Sequence, residues 1–247
     1  MLYLFYLGRL PLKSYWLILI LAIFLGIFPF FFKIKEIGLN KKKAIYFYLG
    51  GIISSFLGAR ILYLLFNPSA RIFSFSEIYW GGGLYLYGGV LGGFIFSLFF
   101  SLKEKISFWK LSDITTPTLI LVLSLMRLGC FLNGCCYGKS TAFPWAVVFR
   151  DPLVVAPKNI PLHPVQLYEA IPNLLAFFYF LKKKPKFSGE ISLQYAFFYN
   201  FLRITVEFFK HPVFGYKNTP FTTPQFLAFF FLILSLILYK IRYKLKK

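Results

Sequence analysis

The chain has 247 residues, of which 58% are hydrophobic, 22% aromatic and only 15% charged, with a formal net charge of +20. So apolar a composition excludes a water-soluble globule, and with it a soluble enzyme. The charged residues fall in short clusters between long uncharged runs, so residues 1–247 form a single polytopic membrane domain. The cation excess is no nucleic-acid signal, because the lysines and arginines cap hydrophobic segments, where anionic membrane lipids and insertion topology place them.

About twenty apolar residues span the roughly 30 Å of bilayer hydrocarbon. Seven such runs are predicted, giving an all-α integral membrane protein. In chain order they cover 14–32, 44–66 around Arg60, 79–102, 111–136 with Asp113 and Arg127, 164–181 with Glu169, 191–209 with Arg203 and Glu207, and the uncharged 218–239. Segments 33–43, 103–110, 182–190 and the tail from 240 hold 17 of the 28 Lys+Arg, against 8 in the alternate segments. Cations bias short loops to the cytoplasm, so the N-terminus is expected outside and the C-terminus inside. The first span shows no cleavage pattern and is expected to stay attached. The longest outer connection, 137–163, carries Arg150, Asp151, His163 and several prolines and is expected to form a loop or small lid. No repeat is visible.

An ionisable side chain at bilayer depth costs a few kcal/mol, so Arg60, Arg127, Arg203, Glu169 and Glu207 need partners or a purpose. Each is either a buried or snorkelling structural charge or part of a functional interior. Tyr199, Arg203 and Glu207 recur at i, i+4 and i+8, so they share one helix face that points into the bundle. Three interior arginines with fewer acids leave spare positive charge, and guanidinium suits phosphate; an anionic lipid headgroup is the natural ligand. Gly81, Gly82, Gly83, Gly88, Gly89, Gly92 and Gly93 thin one end of the third span, either for close helix packing or for a headgroup. A second glycine-rich stretch, 127–138, joins Arg127, Asn133 and three cysteines. Those cysteines lie in no CxxC or Cys/His spacing, so neither a metal site nor a disulfide framework is expected.

Three stretches together resemble one family, the prolipoprotein diacylglyceryl transferases of bacterial membranes. Arg127-Leu-Gly-Cys-Phe-Leu-Asn-Gly-Cys-Cys-Tyr-Gly138 is similar to its Arg-x-Gly-Asn-Phe-x-Asn-Gly-Glu-x-x-Gly signature. His163-Pro-Val-Gln-Leu-Tyr-Glu169 resembles His-Pro-x-Gln-Leu-Tyr-Glu, and Tyr199-Asn-Phe-Leu-Arg203-Ile-Thr-Val-Glu207-Phe-Phe-Lys resembles Tyr-Gly-x-x-Arg-x-x-x-Glu-Phe-x-Arg. Weaker agreements are Tyr15, Gly58-Ala59-Arg60, Gly82-Gly83 through Gly88-Gly89-Val-Leu-Gly92, and Gln225. The resemblance implies a multi-pass enzyme of the bacterial cytoplasmic (inner) membrane. It would move the diacylglyceryl group of phosphatidylglycerol to the lipobox cysteine thiol of preprolipoproteins, forming a thioether and releasing glycerol phosphate, with no cofactor and no metal.

On the matching positions, the resemblance implies that Arg127 and Arg203 bind the phosphate together with Asn133, Gly138, Gly88 and Gly89. It places Glu207 behind Arg203 with Tyr199 nearby, and Arg203, Glu207, Tyr199, Tyr87 and His163 at the chemistry. Three positions depart from the family. Tyr87 stands where the family commonly has His, and tyrosine, with an unperturbed pKa near 10, is a poorer base at neutral pH. Cys130 and Cys135 replace an Asn and a Glu. The adjacent Cys135 and Cys136 read either as small packing residues or, at Cys135, as a reactive thiol favoured by Arg127. His163, six residues before Glu169, reads either as a helix-entry hydrogen-bonding residue or as a substitute base. Two rival functions remain: a transporter or flippase with a charged pathway, disfavoured by the lack of an inverted repeat, and a diverged paralogue acting on another thiol or lipid, or binding lipid without catalysis.

Overall fold

The computed structural model describes residues 3–7, 10–72, 83–150, 154–210 and 221–246. It opens with an antiparallel hairpin of β1 (Tyr3–Leu7) and β2 (Leu10–Lys13). Among the described residues seven long helices follow: α1 (Ser14–Ile34), α2 (Lys41–Phe66), α3 (Leu86–Lys103), α4 (Phe108–Leu132), α5 (Val165–Lys182), α6 (Glu190–Glu207) and α7 (Thr223–Lys244). Between α4 and α5, β3 (Val147–Val148) pairs with β4 (Pro161–Leu162). Five of the helices, α1 to α4 and α7, are long and apolar enough to cross a membrane. The chain divides into two compact units, 33–111 and the remainder.

The smaller unit is built on α2 and α3, whose antiparallel register is written in steps of three or four residues. Gly58 meets Gly88, Ser54 meets Gly92, Gly50 receives the Phe96 ring, Phe47 packs on Phe100 (4.9 Å between centroids), and Lys43 pairs with Glu104 at 2.5 Å. A Cβ on Gly58 or Gly88 would lie 2.3 Å from the other residue's carbonyl oxygen, and one on Gly92 would lie 2.3 Å from the Ser54 oxygen. The small-residue stripe therefore brings two backbones into contact, the usual source of helix association where apolar burial gives no drive. The close-packing alternative for Gly88, Gly89 and Gly92 is the one this geometry supports. The helix begins at Leu86, so Gly83 precedes it; Gly81 and Gly82 lie outside the described residues.

Arg60, 4% exposed on α2, donates to the carbonyls of Ile72 (3.1 Å), Gly83 (3.0 Å) and Arg71. It ties the end of α2 to the following connection, which is the structural reading of this buried charge.

In the larger unit α1 lies against α4, with Thr118 donating to the Gly26 carbonyl and Ile18 touching Gly129. Ser124 bonds the Ala170 carbonyl (2.8 Å), joining α4 to α5. Tyr195 bonds Asn173 (2.8 Å) above a core of Ile120, Phe177, Phe180 and Ile191, joining α5 to α6. Asp113, buried on α4, accepts from the backbone N–H of Gly189 (2.7 Å) and Ser192 (2.9 Å). It thus caps the first turn of α6 from a neighbouring helix, where a carboxylate meets the positive end of the helix dipole. Thr222 and Gln225 form a capping box at the start of α7; this is what the 1%-exposed Gln225 does structurally. The fourth helix ends at Leu132, four residues short of the sequence expectation, because the chain turns at Gly134 in the left-handed region (φ 63°).

Candidate active site

The ends of α4, α5, α6 and α7 at Leu132, Val165, Glu207 and Thr223 converge in the larger unit, and the buried charges meet there. Glu169, 2% exposed on α5, is the hub. Its Oε2 lies 2.7 Å from Arg127 Nε and its Oε1 2.7 Å from Arg203 Nη1. Arg203 Nη2 reaches Glu207 Oε2 at 3.1 Å, and Thr222 donates to the other Glu207 oxygen at 3.3 Å. Lys210 Nζ completes the cluster, 3.9 Å from Glu169 and 3.8 Å from Glu207.

Three cations thus face two carboxylates, leaving one unit of spare positive charge. The acids are the deeper groups, with side chains 2% and 8% exposed, while Arg127, Arg203 and Lys210 keep 15–18% of theirs accessible. Anions below and partly open guanidinium and ammonium groups above make a receptor for an oxyanion, held by charge-assisted hydrogen bonds. Burial, and then the charge of Arg203, push the Lys210 ammonium below its ordinary pKa.

The spare charge had been expected from three arginines. Arg60 belongs instead to the smaller unit, and Lys210 supplies the third cation. Lys210 lies three residues beyond Glu207 and seven beyond Arg203, so the same helical stripe could have flagged it. Tyr199 packs on Tyr195 (6.0 Å between centroids), one turn before Arg203.

A floor of backbone closes the site. Gly138 pairs in a β-bridge with Lys210 and donates to the His163 carbonyl (3.2 Å), while Lys139 donates to the Phe209 carbonyl (2.8 Å). A Cβ at Gly138 would lie 2.6 Å from the His163 oxygen and 2.7 Å from the Phe209 oxygen, so only glycine fits where three chain segments meet.

The His163 ring turns to Tyr168, with Nδ1 3.0 Å from its hydroxyl. Trp145 Nε1 donates to the same hydroxyl oxygen at 2.7 Å. The Tyr168 hydroxyl accepts from the indole N–H and can in turn donate to His163 Nδ1, the arrangement that suits a neutral imidazole. Burial, with Lys139 nearby, lowers the His163 pKa in the same sense. Phe143 stacks on Trp145 and edges His163, giving the 137–163 connection an aromatic lining. Of this Trp145–Tyr168–His163 chain, His163 and Tyr168 lie in the 163–169 motif, and only Trp145 carries no sequence signature.

Asn133 Oδ1 is buried without a hydrogen-bond partner. Gln166, 1% exposed, donates to the Cys135 carbonyl (2.6 Å) and anchors the turn after α4 to α5. Cys130 is buried, Cys135 half-buried and Cys136 exposed, and all three are free thiols. The Cys135 thiol donates to the Cys130 carbonyl (3.6 Å). Tyr87, Gly88 and Gly89 belong to the smaller unit, where Tyr87 is 56% exposed.

A family model described as Prolipoprotein diacylglyceryl transferase matches residues 2–241. The chain belongs to that family. It is 33% identical over 211 residues to the phosphatidylglycerol–prolipoprotein diacylglyceryl transferase of Clostridium tetani, covering 84% of each chain. It is 32% identical to a second enzyme of that name, numbered 2, from Clostridium perfringens, covering 96% of this chain and 93% of the relative. The protein of the same name from Geobacter sulfurreducens is 33% identical over 192 residues, 74% of this chain and 72% of that one. Five apolar helices and membership of this transferase family make the protein a multi-pass membrane protein and a transferase.

Proposed function

We propose that the protein transfers the diacylglyceryl group of phosphatidylglycerol to the lipobox cysteine thiol of preprolipoproteins. The observation that carries this reading is the cluster of Arg127, Arg203 and Lys210 over Glu169 and Glu207, whose spare positive charge suits a single phosphodiester. The thiol sulfur attacks the glyceryl carbon, a C–S bond forms, the C–O bond to phosphate breaks, and glycerol phosphate leaves. The cations hold the phosphate and stabilise the leaving anion, and Glu169 and Glu207 fix the two guanidiniums. Asn133 and Gly138 shape the pocket beside them. The thiol proton passes through the Tyr168 hydroxyl to His163 Nδ1, the ring nitrogen that this hydroxyl faces.

In this reading all seven helices cross the bacterial cytoplasmic membrane, with the N-terminus outside. On α5, Ile171, Leu175 and Phe178 form an exposed apolar stripe, and on α6 Phe197 and Phe201 do the same, which supports lipid contact for the two helices that are less apolar overall. The site then lies towards the outer leaflet, and the Lys-rich ends near Lys183 and Lys240 meet anionic lipid inside.

The test is release of glycerol phosphate from phosphatidylglycerol by purified protein, with and without a lipobox peptide. Peptide-dependent release that Arg203→Ala abolishes and Lys210→Met weakens is the expected result. The departures at Tyr87, Cys130 and Cys135 favour one alternative, a paralogue using another thiol acceptor. Folded protein that releases nothing with the peptide would refute the transferase reading.

A further inference from the structure

The turn after α4 brings together three thiols that the sequence spacing did not pair. Gly134 N donates to the Phe131 carbonyl (3.0 Å) and Cys135 N to the Cys130 carbonyl (3.1 Å), so the chain wraps back over the last turn of the helix. Gly134 is left-handed, and so is Cys136 at φ 56°, a conformation that a non-glycine residue adopts at a cost and keeps only where its surroundings impose it. Gln166 pins the same turn through the Cys135 carbonyl. The result is that the Cys130, Cys135 and Cys136 sulfurs all lie within 4.8 Å of one another.

We propose that Cys130, Cys135 and Cys136 form a binding site for one thiophilic d10 cation, Zn2+ or Cu+. Metal–sulfur bonds of about 2.3 Å put three thiolates about 4.0 Å apart around a shared ion. The present spacing, with all three sulfurs within 4.8 Å of one another, is close to that geometry. Soft thiolate donors select this class of ion over Mg2+ or Ca2+.

Charge supports the assignment. Three thiolates around Zn2+ carry one net negative charge, and around Cu+ two, and the neighbouring cluster of Arg127, Arg203 and Lys210 over Glu169 and Glu207 carries one net positive charge. An anionic complex is therefore matched by its surroundings. Asn133 Oδ1, buried and unpartnered two residues before Cys135, supplies an acceptor for a water in a fourth position on zinc. The exposure gradient from buried Cys130 to exposed Cys136 gives an entry path.

The test uses the full-length protein in detergent, reduced and stripped with a chelator. Co2+ is titrated as an optical reporter for Zn2+ through its sulfur-to-cobalt charge-transfer band, then displaced with Zn2+; Cu+ is titrated separately against a chromophoric chelator. One equivalent bound, with affinity falling at least tenfold in each of Cys130→Ser, Cys135→Ser and Cys136→Ser, is expected for whichever ion the site holds. Folded protein with three titratable thiols that binds neither ion would overturn the proposal. So would wild-type affinity in the Cys136→Ser protein, or the loss of two thiols in air with a mass lower by two hydrogens, which would make the cluster a disulfide pair. Since binding is the readout, the result is independent of whether the protein transfers diacylglyceryl groups.

Discussion

Replacing Glu169 with Gln tests whether one carboxylate holds the charged cluster together. The carboxylate touches two guanidiniums at 2.7 Å and is 2% exposed. At 2.7 Å each contact pair is worth about 6 kcal/mol gross at an effective dielectric of 20, and desolvation of the carboxylate takes back much of the sum. What decides the outcome is the state left behind. Glutamine keeps an acceptor but loses the charge, so Arg127, Arg203 and Lys210 then face Glu207 alone, with two units of uncompensated charge. Removing one member of a buried ion pair costs about 3–5 kcal/mol; the 17–18% exposure of the two arginine side chains places this site at the lower end of that range. A loss of about 3 kcal/mol corresponds to a fall in unfolding midpoint on the order of 6–12 °C for a chain of this length. Thermal unfolding of the purified protein, followed by circular dichroism, measures it. A midpoint within a degree of wild type would show that the cations do not depend on Glu169, and the hub description would fail.

Lys210→Met removes the spare charge while breaking only contacts of 3.8–3.9 Å; headgroup affinity, read by phosphatidylglycerol binding in mixed micelles, should fall several-fold with the unfolding midpoint nearly unchanged. Gly58→Ala and Gly88→Ala should each cost about 1–3 kcal/mol by forcing α2 and α3 apart, whereas Gly51→Ala, which meets nothing within 4 Å, should be neutral or stabilising by up to about 1 kcal/mol; thermal unfolding ranks all three. Asp113→Asn should cost about 1–2 kcal/mol by weakening the charged cap of α6, seen in the same assay. His163 has its pKa lowered on folding, so the folded state resists its protonation: stability is complete above about pH 6.5 and falls as pH drops below that value towards the lowered folded pKa. A His163→Gln protein should lose that component of the acid sensitivity in midpoint-against-pH measurements.

The helices were legible because long apolar runs favour them in a membrane: five of the seven lie within four residues of their predicted runs, α3 starts seven residues late and α7 is displaced by five, and five helices are long and apolar enough to cross a membrane. The Arg203–Glu207 stripe was legible for a similar reason, since i, i+4 spacing fixes a shared face whatever the tertiary structure. Glu169 stood out as a charge in need of partners, but its choice of Arg127 and Arg203 depends on how α4, α5 and α6 meet, which no local pattern encodes. The N-terminal hairpin was missed because its apolar residues read as an approach to the first span; Gly8 between two short apolar runs was the available signal. The thiol cluster was missed because a search for CxxC assumes a loop between ligands. Here Cys130 ends a helix, and the wrap at Gly134 brings Cys135 and Cys136 back over it.

The departures from the family pattern and the geometry of the site bear on one another. The resemblance has a carboxylate where this chain has Cys135, and a carboxylate there would have balanced the third cation. With cysteine in its place, the balance of Arg127, Arg203 and Lys210 against Glu169 and Glu207 stays at one positive charge while the thiols are protonated. The spare charge on which the proposed phosphate binding rests is therefore conditional on the state of the neighbouring thiols. Any process that turns them into thiolates, metal binding included, competes with the headgroup for the same cations. A phosphodiester and an anionic thiolate complex should then weaken one another's binding, each raising the apparent dissociation constant of the other by the same factor, as linkage requires.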